Sequence, residues 1–455
     1  MDYTLFIFRR DLRLIDNISL NYAIKNYSNI LPIFIFTPEQ IEKNNTFRSE
    51  NSIQFMIESI KNVDKYLKKY NSKMHLFYGD NIEVLNTICN EINVKNIIFN
   101  KDYTPYAIKR DKLIEDFCNK NKINIETKED YLLAPIGTFL KEDKNPYTVF
   151  TPFRNNGFKF KIIKPVELNI KNLVKIDLKS EYGYIDYNIN NNISVNGGRD
   201  IGLEYLKNVK KQENYNNDRN TLSINTSMLS AFIKFGCISI REVYWKIKNV
   251  LGSDNDMLSQ LFWREFYYYI AFYFPKVLNG KNYNNRYDKI EWNKNDKYFK
   301  NWCKGSTGFP IIDAGMNELN KTGYMHNRAR LITSNFMNRM LGLDWREGER
   351  YYATQLTDYD PSVNNGNWQW IASTGVDPKP YFQRLFNPWL QSKKFDPDCK
   401  YIKKWLPSLK NIPNNELHQW DKFYKNYDLS KIEYYKPIID YKSARKDSIT
   451  MYRKV

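Results

Sequence analysis

The chain has 455 residues, 42% of them apolar, enough for two or three domains with a substantial core, and this excludes wholesale disorder. Lys and Arg outnumber Asp and Glu by 69 to 51, and a formal charge of +18 points to a polyanion such as nucleic acid. Five scattered cysteines without a CxxC, and three histidines far apart (His75, His326, His418), leave little material for a disulfide framework, a zinc site or a histidine triad. No metal is expected, and a reducing compartment is.

No apolar run approaches the roughly 20 residues of a membrane span. The start, Met1-Asp2-Tyr3, lacks a basic n-region and a cleavage site. The expectation is an intracellular protein, cytoplasmic or nuclear, with no signal peptide and no membrane partner. Along the first 130 residues, short apolar runs alternate with helical patterns. Strands are predicted at 3–8, 29–36, 74–79, 94–100 and 123–128, and helices at 52–69, 82–92 and 108–121. Fully apolar strands between helices predict a doubly wound parallel sheet, so residues 1–130 read as an α/β domain. No GxGxxG follows the first strand, and the dinucleotide fingerprint is absent. A basic turn, Arg9-Arg10-Asp11-Leu12-Arg13, stands there instead.

From 131 to 215 the periodicity weakens. Prolines interrupt it, and 187–198 is asparagine-rich, so this stretch reads as a connector crossing the surface. From 216 to 455 helical periodicity dominates. All ten tryptophans lie after residue 244, which marks a second, all-α domain with a specialised interior.

Three stretches of that half carry chemistry. Thr226-Ser227-Met228-Leu229-Ser230 puts hydroxyls before a helical run at 231–236, which suits phosphate or a plain helix cap. Gln260 and Trp263 share a helical face, an amide beside an aromatic plane, which suits either a flipped base or a core tryptophan. Residues 323–375 crowd Arg328, Arg330, Asp358, Asp360, Asn364, Asn365, Trp368 and Trp370 together. That mixture suits a large planar ligand with polar edges, or a buried structural network.

Read together, FRRDLRLIDN (8–17), TSMLSAFIKFGCISIREVY (226–244), WREF (263–266), TGYMHNRAR (322–330), DWREGERYY (344–352), NNGNWQW (364–370) and FNPWLQSKKFD (386–396) resemble the photolyase/cryptochrome family, most closely its class I cyclobutane pyrimidine dimer (CPD) photolyases. The resemblance implies an α/β antenna domain and an all-helical domain that binds U-shaped FAD and UV-damaged DNA. Reduced flavin, excited by blue light, then passes an electron to a flipped-out dimer and recovers it once the cyclobutane splits. It implies that Tyr215 and Thr226 to Ser230 hold the FAD phosphates and ribityl chain. Asn327, Arg330, Asp358, Tyr359, Asp360 and Asn364 surround the flavin. Gln260, Trp263, Asn327, Asn364 and Trp370 act on the dimer, and Arg219, Arg264, Arg328 and Gln391 join Gln260, Trp263, Asn327 and Trp370 in facing DNA. Trp368, Trp345 and Trp292 form the chain that carries electrons to oxidised flavin.

Three departures qualify the match. Gln260 stands where CPD enzymes of the family carry glutamate, and glutamine there is typical of (6-4) photolyases and animal cryptochromes. The two histidines of the (6-4) class are replaced by Asn327 and Leu331. The pair that holds folate in some relatives reads Lys101-Asp102, which leaves folate, a deazaflavin, a flavin or no pigment open as the antenna chromophore. The chain ends soon after the shared region, so no signalling tail is expected, and neither is an obligatory protein partner; a monomer is. The rival reading is a blue-light photoreceptor.

Overall fold

A computed structural model describes residues 1–167, 169–377 and 380–455. Five parallel strands, β1 (Tyr3–Phe8), β2 (Ile30–Phe36), β3 (His75–Tyr78), β4 (Val94–Asn100) and β5 (Asn124–Lys128), lie in the order β3-β2-β1-β4-β5. Leu5 of β1 sits beside Leu31 and Ile97, in register with both neighbours. Alternate side chains feed opposite faces. Leu5, Ile7, Leu31 and Ile33 pack under the helices Asn81–Glu91 and Pro105–Asn121, while Phe6, Phe8 and Phe34 point into a core shared with the helical half. The central strands β1 and β2 are almost wholly apolar because both faces are covered, whereas the edge strand β5 is polar and only part-buried. Pro32 is tolerated inside β2 because β3 begins to pair only at Ile33, so no β3 partner needs the missing N–H.

The predicted strands match to within a residue or so at each end, the three predicted helices run Glu50–Leu67, Asn81–Glu91 and Pro105–Asn121, and the helices Ile18–Asn26 and Pro38–Ile41 were not predicted. The stretch 131–215, read as a connector, lies partly on the surface and partly in the core. Its segments carry the helices Phe150–Gly157 and Arg199–Lys207, and bury Leu133, Phe139, Phe153, Ile170 and Leu206 in the shared core. The asparagine-rich stretch is tied to the helix Glu50–Leu67: Asn190 donates to Asn51, Asn196 to Glu58, and the Gly198 N–H to Ser59. Polar residues that look like low complexity in one dimension are satisfied by a helix more than a hundred residues away. Among the described residues, no helix is long and apolar enough to cross a membrane.

The two halves meet at the basic turn after β1. Arg13 donates to Asp130 at 2.6 Å and to the Gly236 carbonyl at 3.1 Å. Arg241 donates to Asp16 at 2.9 Å and to Asp130 at 2.7 Å. All four charged side chains are at most 2% exposed. Burial opposes the Asp130 charge, yet Arg13 and Arg241 hold its carboxyl below the ordinary range. Gly236 is obligatory here: its φ is +65°, and a Cβ would stand 2.2 Å from the Arg10 carbonyl. The helical half is layered on this junction. Its longest helix, Asp256–Tyr273, packs against Phe150–Gly157 and Pro361–Ile371.

Glu265, on that long helix, accepts the Leu133 N–H at 3.0 Å and pairs with Arg264 at 3.1 Å. It is fully buried, and burial pushes its carboxyl up to about 7.

Two outcomes follow from these buried charges. Arg241→Ala leaves Asp16 without its ion-pair partner and Asp130 with Arg13 alone, and should cost about 3–5 kcal/mol in denaturant unfolding. For Glu265, the folded value lies above the unfolded one of about 4.3, so the protonated form stabilises the fold at low pH and that contribution is lost as pH rises through about 7. Glu265→Gln cannot ionise. Its melting temperature relative to the parent chain should therefore rise between pH 5 and pH 8, and a difference independent of pH would contradict the assignment.

Candidate functional site

The helix Pro361–Ile371 is the centre of the candidate site. Asp360 caps it, accepting the N–H groups of Ser362 and Val363 at 3.1 and 3.3 Å. Asn364 and Trp368 lie four residues apart, on one face. Asn364 donates to the Glu349 carbonyl at 3.2 Å, and Trp368 is pressed onto the helix Trp345–Gln355, where a Cβ at Gly348 would stand 2.2 Å from its ring. Trp370 lies on the other side. It is half-buried, the Arg384 guanidinium sits 3.9 Å over its ring, and its indole N–H is buried without a partner.

Arg330, on the helix Asn327–Asn335, reaches Asp358 at 3.0 Å and the Met325 carbonyl at 2.8 Å. Burial opposes the Arg330 charge, but Asp358 holds its pKa above the ordinary value. The other Asp358 oxygen, Oδ1, is buried with no partner. Asp360 is fully engaged beyond its helix cap: Arg10 donates to it at 3.0 Å, and so does the Tyr268 hydroxyl. Burial opposes its charge, and Arg10, Arg264 and the Tyr268 bond keep it below the ordinary carboxyl range. Arg10 also binds Asp102 at 2.9 Å, so one half of the Lys101-Asp102 pair is taken up by this network. Tyr359, half-buried, stacks on Phe47 at 6.1 Å.

The 226–230 segment is turned by Met228, whose φ is +55°. The helix that follows is short, Ser230–Lys234 in place of the predicted 231–236, and its cap residue Leu229 makes no side-chain bond. The hydroxyls of Thr226, Ser227 and Ser230 are thus not spent on capping; Thr226 lies 3.4 Å from the Tyr324 hydroxyl. Tyr215 opens the short helix Tyr215–Asp218. Sequence reasoning passed over Lys234, at the end of the same segment. Burial, then Arg10, push its amine down to about 7 against the pull of Asp360 and Asp358.

On the long helix, Trp263 stacks face to face on Phe150 at 3.6 Å and 9°, and Gln260 sits one turn earlier, half-buried, its amide 3.5 Å from the Asp256 carbonyl. Arg219 pairs with Asp256 at 3.3 Å. Arg328 donates to Asn220 at 2.6 Å and lies 4.4 Å over Phe395, while Asn327 is exposed. Gln391 keeps a buried oxygen without a partner. Arg264 turns inward to Glu265 and lies 4.6 Å over Tyr268.

Of the three tryptophans read as an electron path, Trp368 and Trp345 are 2% and 0% exposed and Trp292 is half-buried against Tyr452. Trp345 donates to Asn282 at 3.0 Å. The sequence reading missed Trp302, which is buried 6.2 Å from Trp368 and 5.8 Å from Tyr352, itself 5.0 Å from Trp368. Its position in an amphipathic helix with no neighbouring motif offered no signal.

Residues 4–167 match the DNA photolyase family, and residues 257–454 match the FAD binding domain of DNA photolyase. A deoxyribodipyrimidine photo-lyase from Buchnera aphidicola is 36% identical over all of this chain and 97% of its own length. An archaeal photolyase from Sulfolobus tokodaii, solved with two FAD molecules, superposes with a TM-score of 0.88 at 38% identity, each chain fully covered. A cryptochrome from Synechocystis superposes with a TM-score of 0.88 at 25% identity, with 99% of each chain covered. The chain belongs to the DNA photolyase family, and its helical half is that family's FAD-binding domain.

Proposed function

We propose that this protein uses light to repair cyclobutane pyrimidine dimers in UV-damaged DNA. The observation that carries the reading is the helix Pro361–Ile371. It offers an amide at Asn364 and a buried ring at Trp368 on one face, and a half-buried ring with an unspent N–H at Trp370 on the other. The residues fit FAD. The unpartnered Asp358 oxygen is an acceptor for a ring N–H, held in place by Arg330. Ser227 and Ser230 offer hydroxyls for a diphosphate, Thr226 keeps only a long contact with Tyr324, and Lys234 is a half-buried amine that a nearby phosphate would keep charged. When bound, FAD supplies the absorption of light and the electron. The chain's own share is to hold, orient and dry the site. Asn364 offers its amide at the flavin edge, Trp263 and Trp370 give rings for the two bases of a flipped dimer, and Asn327 and Gln260 supply amides to base edges. Arg219, Arg328 and Gln391 carry the flanking strand. Trp368, Trp345 and Trp292 would be the rings that pass electrons from an external donor to an oxidised flavin.

A second chromophore belongs to this proposal. The two FAD molecules of the archaeal structure favour a flavin over folate or a deazaflavin. The competing photoreceptor reading rests on Gln260, whose neutral amide replaces a carboxylate beside the dimer. A (6-4) specificity lacks support at Asn327 and Leu331.

The test is light-dependent restoration, by the flavin-loaded and chemically reduced protein, of oligonucleotides carrying one defined CPD or one defined (6-4) lesion. CPD restoration in light and none in the dark is expected; no restoration of either lesion removes the repair reading in favour of the photoreceptor. Trp368→Phe should abolish photoreduction of oxidised FAD and leave repair by the chemically reduced protein intact. If repair by that reduced variant also fails, Trp368 has another role. Gln260→Glu should raise the quantum yield of CPD repair, and an equal or lower yield would show that the glutamine is already compensated.

A further inference from the structure

Residues 144–166, KNPYTVFTPFRNNGFKFKIIKPV, carry five cations (Lys144, Arg154, Lys159, Lys161, Lys164) and no carboxylate. Five large apolar side chains within it are exposed, among them Phe158 by 42%, Phe160 by 39% and Ile163 by 57%. The rings are nonetheless anchored. Phe158 meets Phe262 edge-on at 4.8 Å, and Phe160 meets Phe139 at 5.2 Å. The strip begins next to Phe150, the ring stacked on Trp263, and runs out to Trp245, whose indole N–H donates to the Ile163 carbonyl at 3.0 Å. Lys164 and Lys248 stand 5.6 and 5.1 Å from the Trp245 ring. Among the described residues, none of Arg154, Lys159, Lys161, Lys164 and Lys248 has an ion-pair partner.

We propose that this strip is a second nucleic-acid track, which takes the unpaired strand as it leaves the site beyond Trp263. It rests on the DNA-binding reading above and extends it to a surface outside the dimer pocket. Half-exposed rings alternating with free cations, Phe158-Lys159-Phe160-Lys161, match the repeat of a single strand, with a base to stack and a phosphate to neutralise. Duplex bases are already stacked on one another and cannot use the rings. A second copy of the chain would set cations against cations. Continuity with the Trp263 wall favours a strand already opened there over a lipid surface.

The test uses the full chain in the dark with a lesion-free labelled oligonucleotide, as a single strand and as a duplex. Lys159→Glu, Lys161→Glu and Lys164→Glu combined are all at exposed positions. Together they should lower the salt slope for the single strand by about 2, at about 0.7 per phosphate, and weaken its binding more than that of the duplex. Phe158→Leu with Phe160→Leu keeps the apolar anchors and removes the stacking faces. This variant should weaken single-strand binding about fivefold or more, the equivalent of about 1 kcal/mol of stacking, with the salt slope unchanged. An unchanged single-strand slope in the lysine variant, or a loss at least as large on the duplex, overturns the proposal. Intact single-strand binding in the leucine variant overturns it too. If the parent chain binds the lesion-free strand as expected and the lysine variant does not, the strip stands even where no dimer is repaired in light. If dimers are repaired and the strip variants bind normally, the strip alone falls.

Discussion

Four buried charges hold this molecule together. Arg13 and Asp16 follow the first strand, Asp130 follows the last, and Arg241 opens a helix of the second half, and the four side chains meet in one dry junction. Each ion buried this way costs several kcal/mol of hydration, which is offset only where geometry and hydrogen bonding are nearly complete. Here Arg13 also takes the Gly236 and Asp16 carbonyls, and Arg241 takes the carbonyls of Asp16 and Asp130. Losing one partner leaves the others charged in the interior. The junction therefore tolerates little displacement of the sheet relative to the helices.

The same turn reaches the candidate site. Three residues before Arg13, Arg10 bridges Asp102, beyond the fourth strand, to Asp360, the cap of the Pro361–Ile371 helix. A carboxylate that the motif assigns to the cofactor's surroundings is thus also a clamp between the halves. The orientation of the helix bearing Asn364, Trp368 and Trp370 is coupled to the α/β sheet through one guanidinium. A change at Arg10 would be felt at the site although Arg10 belongs to the other half of the fold.

Charge sorts itself by the same logic. The basic turn looks, in one dimension, like part of a cationic surface, yet Arg10 and Arg13 face inward and are neutralised. The cations left without partners collect elsewhere, notably on the Lys144–Val166 strip. A net charge of +18 predicts a polyanion but not where it binds, because sequence position does not say which arginines are matched by buried carboxylates.

The strands were legible because an unbroken apolar run such as Ile30–Phe36 has no stable place except between two covered faces, whatever surrounds it. The motif residues Arg330, Asp358, Asn364 and Trp368 stood out as a group because so many polar and aromatic side chains lie close together in one stretch. The anchoring of the 131–215 stretch was not legible because it is set by partners far along the chain: Asn190 and Asn196 look like linker until the Glu50–Leu67 helix supplies their hydrogen bonds. Trp302 was missed for a related reason, since only packing brings it to Trp368. Local pattern alone determined the elements and the chemical types gathered in the second half. Tertiary structure decided which charges are paired, which rings touch and which cations stay free, since those are properties of distance in space and a linear pattern carries no distances.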